Sequence, residues 1–184
     1  MDIALYALDG ALAQCWRAGI ESRKMDGLRV LEGDILEGRA DAIVSPANSF
    51  GFMDGGIDAV YTAFFGPRLQ RDVQSAIRLL PRQELLVGEA LAVNTGNARY
   101  PCCIAAPTMR RPMRLWDGTN AYLAARAAVR LAGGFGLATL AMPGMGTGCG
   151  GLAPDVAARA MLDGIRDALT SPPYPERWSD VPLY

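Results

Sequence analysis

Short apolar runs bounded by turn-forming residues recur along this chain, with helix-like segments between them. That alternation constrains the fold more than any other feature. Residues 3–8, 28–31, 41–44, 89–93, 102–106 and 137–142 fit strands. After Asp9, which resembles an N-cap, residues 11–18 read as a short helix stopped by Gly19, and residues 21–27 as a polar loop. Residues 56–80 read helical, interrupted at Gly66-Pro67 and halted by Pro81. Leu69, Val73, Ile77 and Leu80 form one apolar stripe there. Asn120 is a suitable cap for a helix over 121–131, which Gly133-Gly134 ends, and Pro154 suits the first turn of a helix reaching about residue 169. From Ser171 the chain holds four prolines in fourteen residues and is expected to lie extended over the surface. Strands that alternate with helices predict an α/β domain with its sheet between helical layers, and 184 residues suit one domain, 1–184.

In such sheets ligands sit outside the carboxyl ends of the strands. Two glycine-rich loops fall there. One follows Val44 and contains Gly55-Gly56. The other, 144–151, contains Gly146-Thr147-Gly148-Cys149-Gly150-Gly151. Glycine-rich backbone at a helix start exposes amides that have no internal partner, and these favour phosphate. Two such loops side by side could clamp a diphosphate without lysine or arginine; the plainer reading is that the glycines only make tight turns. The second loop lacks the GKS or GKT ending of a P-loop. Gly146, Gly148 and Gly151 do match GxGxxG. A dinucleotide fold would then need a further strand ending in an acid, but Asp163 and Asp167 fall inside the expected helix.

Composition narrows the chemistry. The net charge is −1, so no basic excess drives non-specific nucleic-acid binding. No apolar stretch approaches the roughly 20 residues of a membrane span, and the N-terminus lacks the basic and apolar regions of a signal peptide; a cytoplasmic location is expected. Cys15, Cys102, Cys103 and Cys149 form no CxxC pair, and neighbouring cysteines on a strand point to opposite faces. The chain contains no histidine. That removes Ser-His and Cys-His nucleophile pairs and most catalytic zinc sites, leaving carboxylates, amides, hydroxyls, thiols and bound water. No metal or cofactor is expected.

Asp34, just past a strand end, could accept a hydrogen bond from an exocyclic amine such as that of adenine, or could simply be a surface or capping aspartate. Asn48 and Asp58 stand ten residues apart across the first loop. A carboxylate one hydrogen bond from water can serve as a general base.

Together these residues resemble the macro domain family, which binds ADP-ribose. Gly33-Asp34-Ile35 looks like its early GD-I motif, whose Asp contacts the adenine amine. Ala47-Asn48-Ser49 resembles its AAN(S) signature, and Gly55-Gly56-Ile57-Asp58 the end of its GGGVD loop. Gly66-Pro67, Gly88-Glu89-Ala90 and Thr95-Gly96 match in the same order, and 143–150 resembles the second phosphate loop. The match spans roughly residues 28–170. It implies a three-layer α/β/α fold with a central mixed sheet. It also implies a ligand site formed by Asp34, Ile35, Ala47, Asn48, Gly55, Gly56, Ile57, Gly146, Thr147, Gly148, Cys149 and Gly150. The partner would be ADP-ribose or an ADP-ribosylated substrate. The resemblance extends to MacroD-like hydrolases. By that analogy Asn48 orients the distal ribose, and Asp58 holds the ribose or activates a water. Substrates would be mono-ADP-ribosylated protein, O-acetyl-ADP-ribose or ADP-ribosylated nucleic acid; a non-catalytic ADP-ribose reader is the alternative. The chain departs from the hydrolases at Phe50-Gly51-Phe52-Met53-Asp54, and no aromatic follows Thr147-Gly148. Tyr174 or Trp178 could stand under the adenine.

Overall fold

The computed structural model describes residues 1–170, 176, 177 and 179. Elements follow in the order β1 (Asp2–Ala7), α1 (Gly10–Arg23), β2 (Leu28–Glu32), a 3-10 turn (Ile35–Glu37), β3 (Ala42–Ser45), α2 (Gly56–Phe65) and α3 (Arg68–Arg78). They continue with β4 (Leu91–Asn94), β5 (Cys102–Ala105), α4 (Thr119–Gly134), β6 (Thr139–Pro143) and α5 (Pro154–Thr170). The six strands form one sheet in the order β2-β1-β6-β3-β5-β4. All pairings are parallel except β4 with β5. The sheet is therefore mixed, with its antiparallel strand at an edge.

The central strands are buried on both faces, and their residues alternate between two cores. On one side Ala42, Val44, Ile104, Leu140 and Met142 pack with residues of α1, α4 and α5. On the other, Ile43, Cys103, Ala105 and Ala141 pack with Tyr61 of α2 and Leu69, Val73 and Ile77 of α3. This is a three-layer α/β/α arrangement. Cys102 packs toward the first core and Cys103 toward the second, as adjacent strand residues must.

Three local expectations are corrected. Gly19 does not stop α1, which runs on to Arg23 and ends at Lys24 in the left-handed conformation (φ 52°). A β-carbon on Gly19 would lie 2.4 Å from Leu162 Cδ1. The glycine thus lets α5 approach α1, offsetting its roughly 1 kcal/mol helix penalty. Residues 21–23, expected in a loop, are the last turn of that helix. Asn120 is not a cap: α4 starts at Thr119 after Gly118, and Asn120 Nδ2 donates to the Thr108 carbonyl at 2.8 Å. That bond ties the start of α4 to the segment leaving β5. The break at Gly66-Pro67 is present and separates α2 from α3. Among the described residues no helix is long and apolar enough to cross a membrane.

Candidate functional site

A cleft of about 660 Å³ opens beyond the carboxyl ends of β1, β2, β3 and β6. All thirteen residues singled out from the sequence line it: Asp34 and Ile35 after β2, Ala47, Asn48 and Gly55–Asp58 after β3, and Gly146–Gly150 after β6. A more open depression of about 620 Å³ lies at the other end of the sheet. There the Asp41 carboxylate is already used, accepting from the amides of Ala138 (2.9 Å) and Thr139 (2.8 Å).

The two flanking loops are built differently. In the first, Asn48 Oδ1 accepts from the amides of Phe50 (3.1 Å) and Phe52 (3.3 Å), and its Nδ2 donates to the Phe52 carbonyl at 2.8 Å. The side chain expected to orient a ribose is turned onto its own loop, which it folds into an arch. Met53 is buried. Its amide donates to Gln70 Oε1 (2.7 Å) and its carbonyl accepts from Thr62 Oγ1 (2.9 Å). The arch is thereby fixed to α2 and α3. Phe50 lies under the Arg110 guanidinium, 5.3 Å from ring centroid to Cζ, while Phe52 is 53% exposed and lines the cleft. The departure from the family pattern at residues 50–54 is thus one buried hook, Met53, preceded by Phe52 on the cleft and Phe50 beneath Arg110.

Beyond the arch, α2 begins at Gly56 with Gly55 as its N-cap, and no side chain caps it. The amides of Gly56, Ile57 and Asp58 have no partner among the described residues, because the first helical bond runs from Ala59 to Gly55. A β-carbon on Gly55 or Gly56 would meet nothing within 4 Å. These amides and the positive end of α2 face open space, an anion-favouring arrangement.

Asp58 sits in the first turn of α2 and is 5% exposed. Its Oδ1 accepts from Ser45 Oγ, the last residue of β3, at 2.5 Å. Burial pushes its carboxyl up to about 7, against the smaller lowering effect of the Ser45 bond. Asp58 is therefore divided between acid and carboxylate near neutrality, the range in which a general base works best. Ser45 was not marked by the sequence. A serine ending a strand is ordinary, and only the fold brings it to Asp58.

The second loop is closed chiefly by backbone bonds; beside them Thr147 Oγ1 donates to the Gly144 carbonyl at 3.5 Å and the Met145 amide to Met161 Sδ at 3.3 Å. The Gly151 amide donates to the Gly148 carbonyl and the Leu152 amide to the Gly146 carbonyl, both at 3.0 Å. A β-carbon on Gly150 would lie 2.5 Å from the Gly146 carbonyl oxygen, and Gly146 has φ +76°, so both positions require glycine. The amides of Gly146, Thr147, Gly148, Cys149 and Gly150 donate to no described residue, and Gly148 borders open space. Asp34 spends one oxygen on the Leu36 amide (2.8 Å), capping the 3-10 turn. Its capping role is real, and its Oδ2 has no partner among the described residues. Tyr174 and Trp178 lie outside the described residues.

An uncharacterized protein of Aquifex aeolicus is 39% identical over 76% of this chain and 81% of its own length. Among solved structures, the macrodomain of Mycobacterium tuberculosis DarG superposes with a TM-score of 0.63 at 22% identity, covering 73% of this chain and 87% of that one. A mutant Oceanobacillus iheyensis macrodomain with ADPR gives 0.64 at 23% identity, covering 72% and 73%. The Macro domain model matches residues 44–161, from the last two residues of β3 through the second loop into α5. The chain belongs to the Macro domain family.

Proposed function

We propose that the cleft binds ADP-ribose and that the protein hydrolyses an ADP-ribosyl linkage. The observation that carries this reading is the pair of unpartnered amide rows, at the start of α2 and in the second loop, facing one cleft with Asp58 beneath the first. Fixed N–H groups are suited to a diphosphate without cationic side chains. Relatives of the same fold bind such ligands: Oceanobacillus iheyensis macrodomain structures carry ADPR and ADP. Asp34 Oδ2 then meets the adenine amine. The distal ribose lies toward Asn48, with the arch made by Asn48 shaping its pocket.

For hydrolysis Asp58 takes a proton from a water whose oxygen attacks the ADP-ribosyl carbon. The bond from that carbon to the carrier breaks, and the departing atom takes up the proton. Loop amides stabilise the charge that develops. In calorimetry, ADP-ribose should give a saturable heat, and turnover of mono-ADP-ribosylated protein, O-acetyl-ADP-ribose and ADP-ribosylated nucleic acid should be followed in parallel. Binding without release from any of these substrates sinks the enzymatic half; no heat at millimolar ligand sinks both halves.

A second reading, a reader that binds without turnover, is favoured by one observation. Both polar atoms of Asn48 are already engaged by its own loop. The Asp58→Ala variant separates the two readings. In an enzyme its turnover falls far beyond any loss of affinity; in a reader only affinity changes.

A further inference from the structure

Asp58 meets the cleft with a single oxygen. Its Oδ1 is taken by Ser45 Oγ at 2.5 Å. Its Oδ2 has no hydrogen bond from any described residue. It is also not among the buried side-chain atoms left without a partner, which are Trp16 Nε1 and Arg126 Nε. Oδ2 is therefore open to solvent, in a residue only 5% exposed, and the space it meets is the cleft that Asp58 lines.

A carboxylate so placed needs a donor, because burial disfavours its charge. Its surroundings offer few. On α2, Tyr61 donates its hydroxyl elsewhere, to the Val44 carbonyl at 3.1 Å. On β5, the Cys103 thiol is fully buried. Burial pushes both groups well above their ordinary values, and Asp58 adds to the rise, so both are neutral. The amides of Gly56, Ile57 and Asp58 donate to no described residue. The other carboxylates on the cleft are Asp9, Asp34 and Asp54, and no described lysine or arginine lines it. Across the cleft the second loop carries one titratable side chain, Cys149. That loop is backed by Leu115, whose amide donates to the Gly150 carbonyl at 2.8 Å. Among the described residues the Ser45 hydroxyl is the one donor to Asp58.

The end of β3 makes this possible. Ser45 is the last residue of the strand, pairs with Ala105 of β5, and accepts from the Ala106 amide at 2.9 Å. A serine has one torsion between its Cα and its oxygen, so a fixed backbone leaves the hydroxyl few positions.

We propose that Ser45 is the positioning residue of this site: it binds Asp58 Oδ1, holds the carboxylate in its charged form, and leaves Oδ2 as the oxygen that meets the ligand. This rests on the hydrolytic reading above, in which Asp58 takes a proton from the attacking water and the departing atom receives it. Oδ2 is then the atom that carries that proton. Without Ser45 a donor to the charged form is lost, so the acid form persists to higher pH.

The test is a carbon NMR titration of the Asp58 carboxyl in the ligand-free full chain. Beside it runs a pH profile of turnover on the ADP-ribosyl substrate that the parent hydrolyses. In Ser45→Ala the midpoint should move up by about one pH unit or more, the effect of losing a hydrogen bond to a charged group. From a parent midpoint of about 7, turnover should then fall about fivefold or more at neutral pH and recover most of the loss by about pH 9. Ser45→Thr, which keeps the hydroxyl, should keep the parent's midpoint. Ser45→Cys, whose thiol is a weak donor, should shift it in the same direction as alanine; it supplies the reading if a thermal melt shows Ser45→Ala unfolded. A serine that merely supports the strand would lower the melting temperature and leave both midpoints in place. That result overturns the proposal, as does a Ser45→Thr variant that shifts as far as Ser45→Ala. A chain that hydrolyses with a profile unmoved by Ser45→Ala keeps the reading of the cleft and loses this inference. A chain whose Asp58 midpoint moves in Ser45→Ala, but which turns over no ADP-ribosyl substrate, keeps Ser45 as the group that holds Asp58 and loses the hydrolytic reading.

Discussion

The two loops that flank the cleft do similar work by opposite means. The first, after β3, is held by side chains: Asn48, Gln70, Thr62 and the buried Met53 pin its backbone. The second, after β6, is closed chiefly by backbone bonds, and Gly146 and Gly150 are required there by backbone conformation or close approach. A loop pinned by side chains can change its residues if the pins change together. A loop closed by glycines cannot.

Substitutions can break or sharpen that contrast. The largest effect should come from Asp58, at the foot of the first loop. Asp58→Asn should lower turnover by about 10²–10⁴-fold, the usual contribution of a general base, with ADP-ribose affinity nearly unchanged; an equal loss in affinity and turnover would make Asp58 a binding residue only. The same variant reports on stability. Because the folded pKa of Asp58, about 7, lies above that of the unfolded chain, the native state holds the extra proton. The parent should therefore lose stability as pH rises from about 4 to about 7. Relative to Asp58→Asn the loss should reach roughly 3–4 kcal/mol in denaturant titrations at each pH.

Met53→Ala should cost about 2–5 kcal/mol in urea unfolding, as other buried methionines do, because it removes the hook that seats the arch. Gly150→Ala forces a β-carbon against the Gly146 carbonyl and should cost about 1–3 kcal/mol, while weakening ADP-ribose binding strongly. The smallest effect is the sharpest control. Gly148→Ala enters open space and should change stability by less than about 0.5 kcal/mol; any affinity loss then comes from the ligand side of the loop. A Gly148→Ala variant as unstable as Gly150→Ala would show that the second loop is not closed by the particular contacts described.

The same contrast explains what was legible in the sequence. The second loop could be read because its constraints are local: glycines spaced within a few residues imply turns and exposed amides. The alternation of strands and helices was legible for a similar reason, since apolar periodicity is local. What could not be read depends on residues far apart in the chain. Gly19 continues a helix because Leu162 presses against it. Asn120 holds Thr108 instead of capping. Ser45 reaches Asp58 only once β3 and α2 are in place. Residues 50–54 read only as a departure from the hydrolase pattern, and Met53 gained its meaning from Gln70 and Thr62. Asp34 was readable as a strand-end carboxylate open to a capping or a ligand role, and the structure gives it the capping one while leaving an oxygen over.

Leu115 lies between the second loop and an exposed indole one residue on. Its amide holds the Gly150 carbonyl, and its side chain rests against Gly146 and Gly150. A ligand that drew the loop amides inward would act on Leu115 through these contacts, and through it on Trp116. The protein thus contains its own optical gauge. Titration with ADP-ribose should shift the emission of Trp116, and the shift should vanish in Trp116→Phe while the calorimetric signal remains.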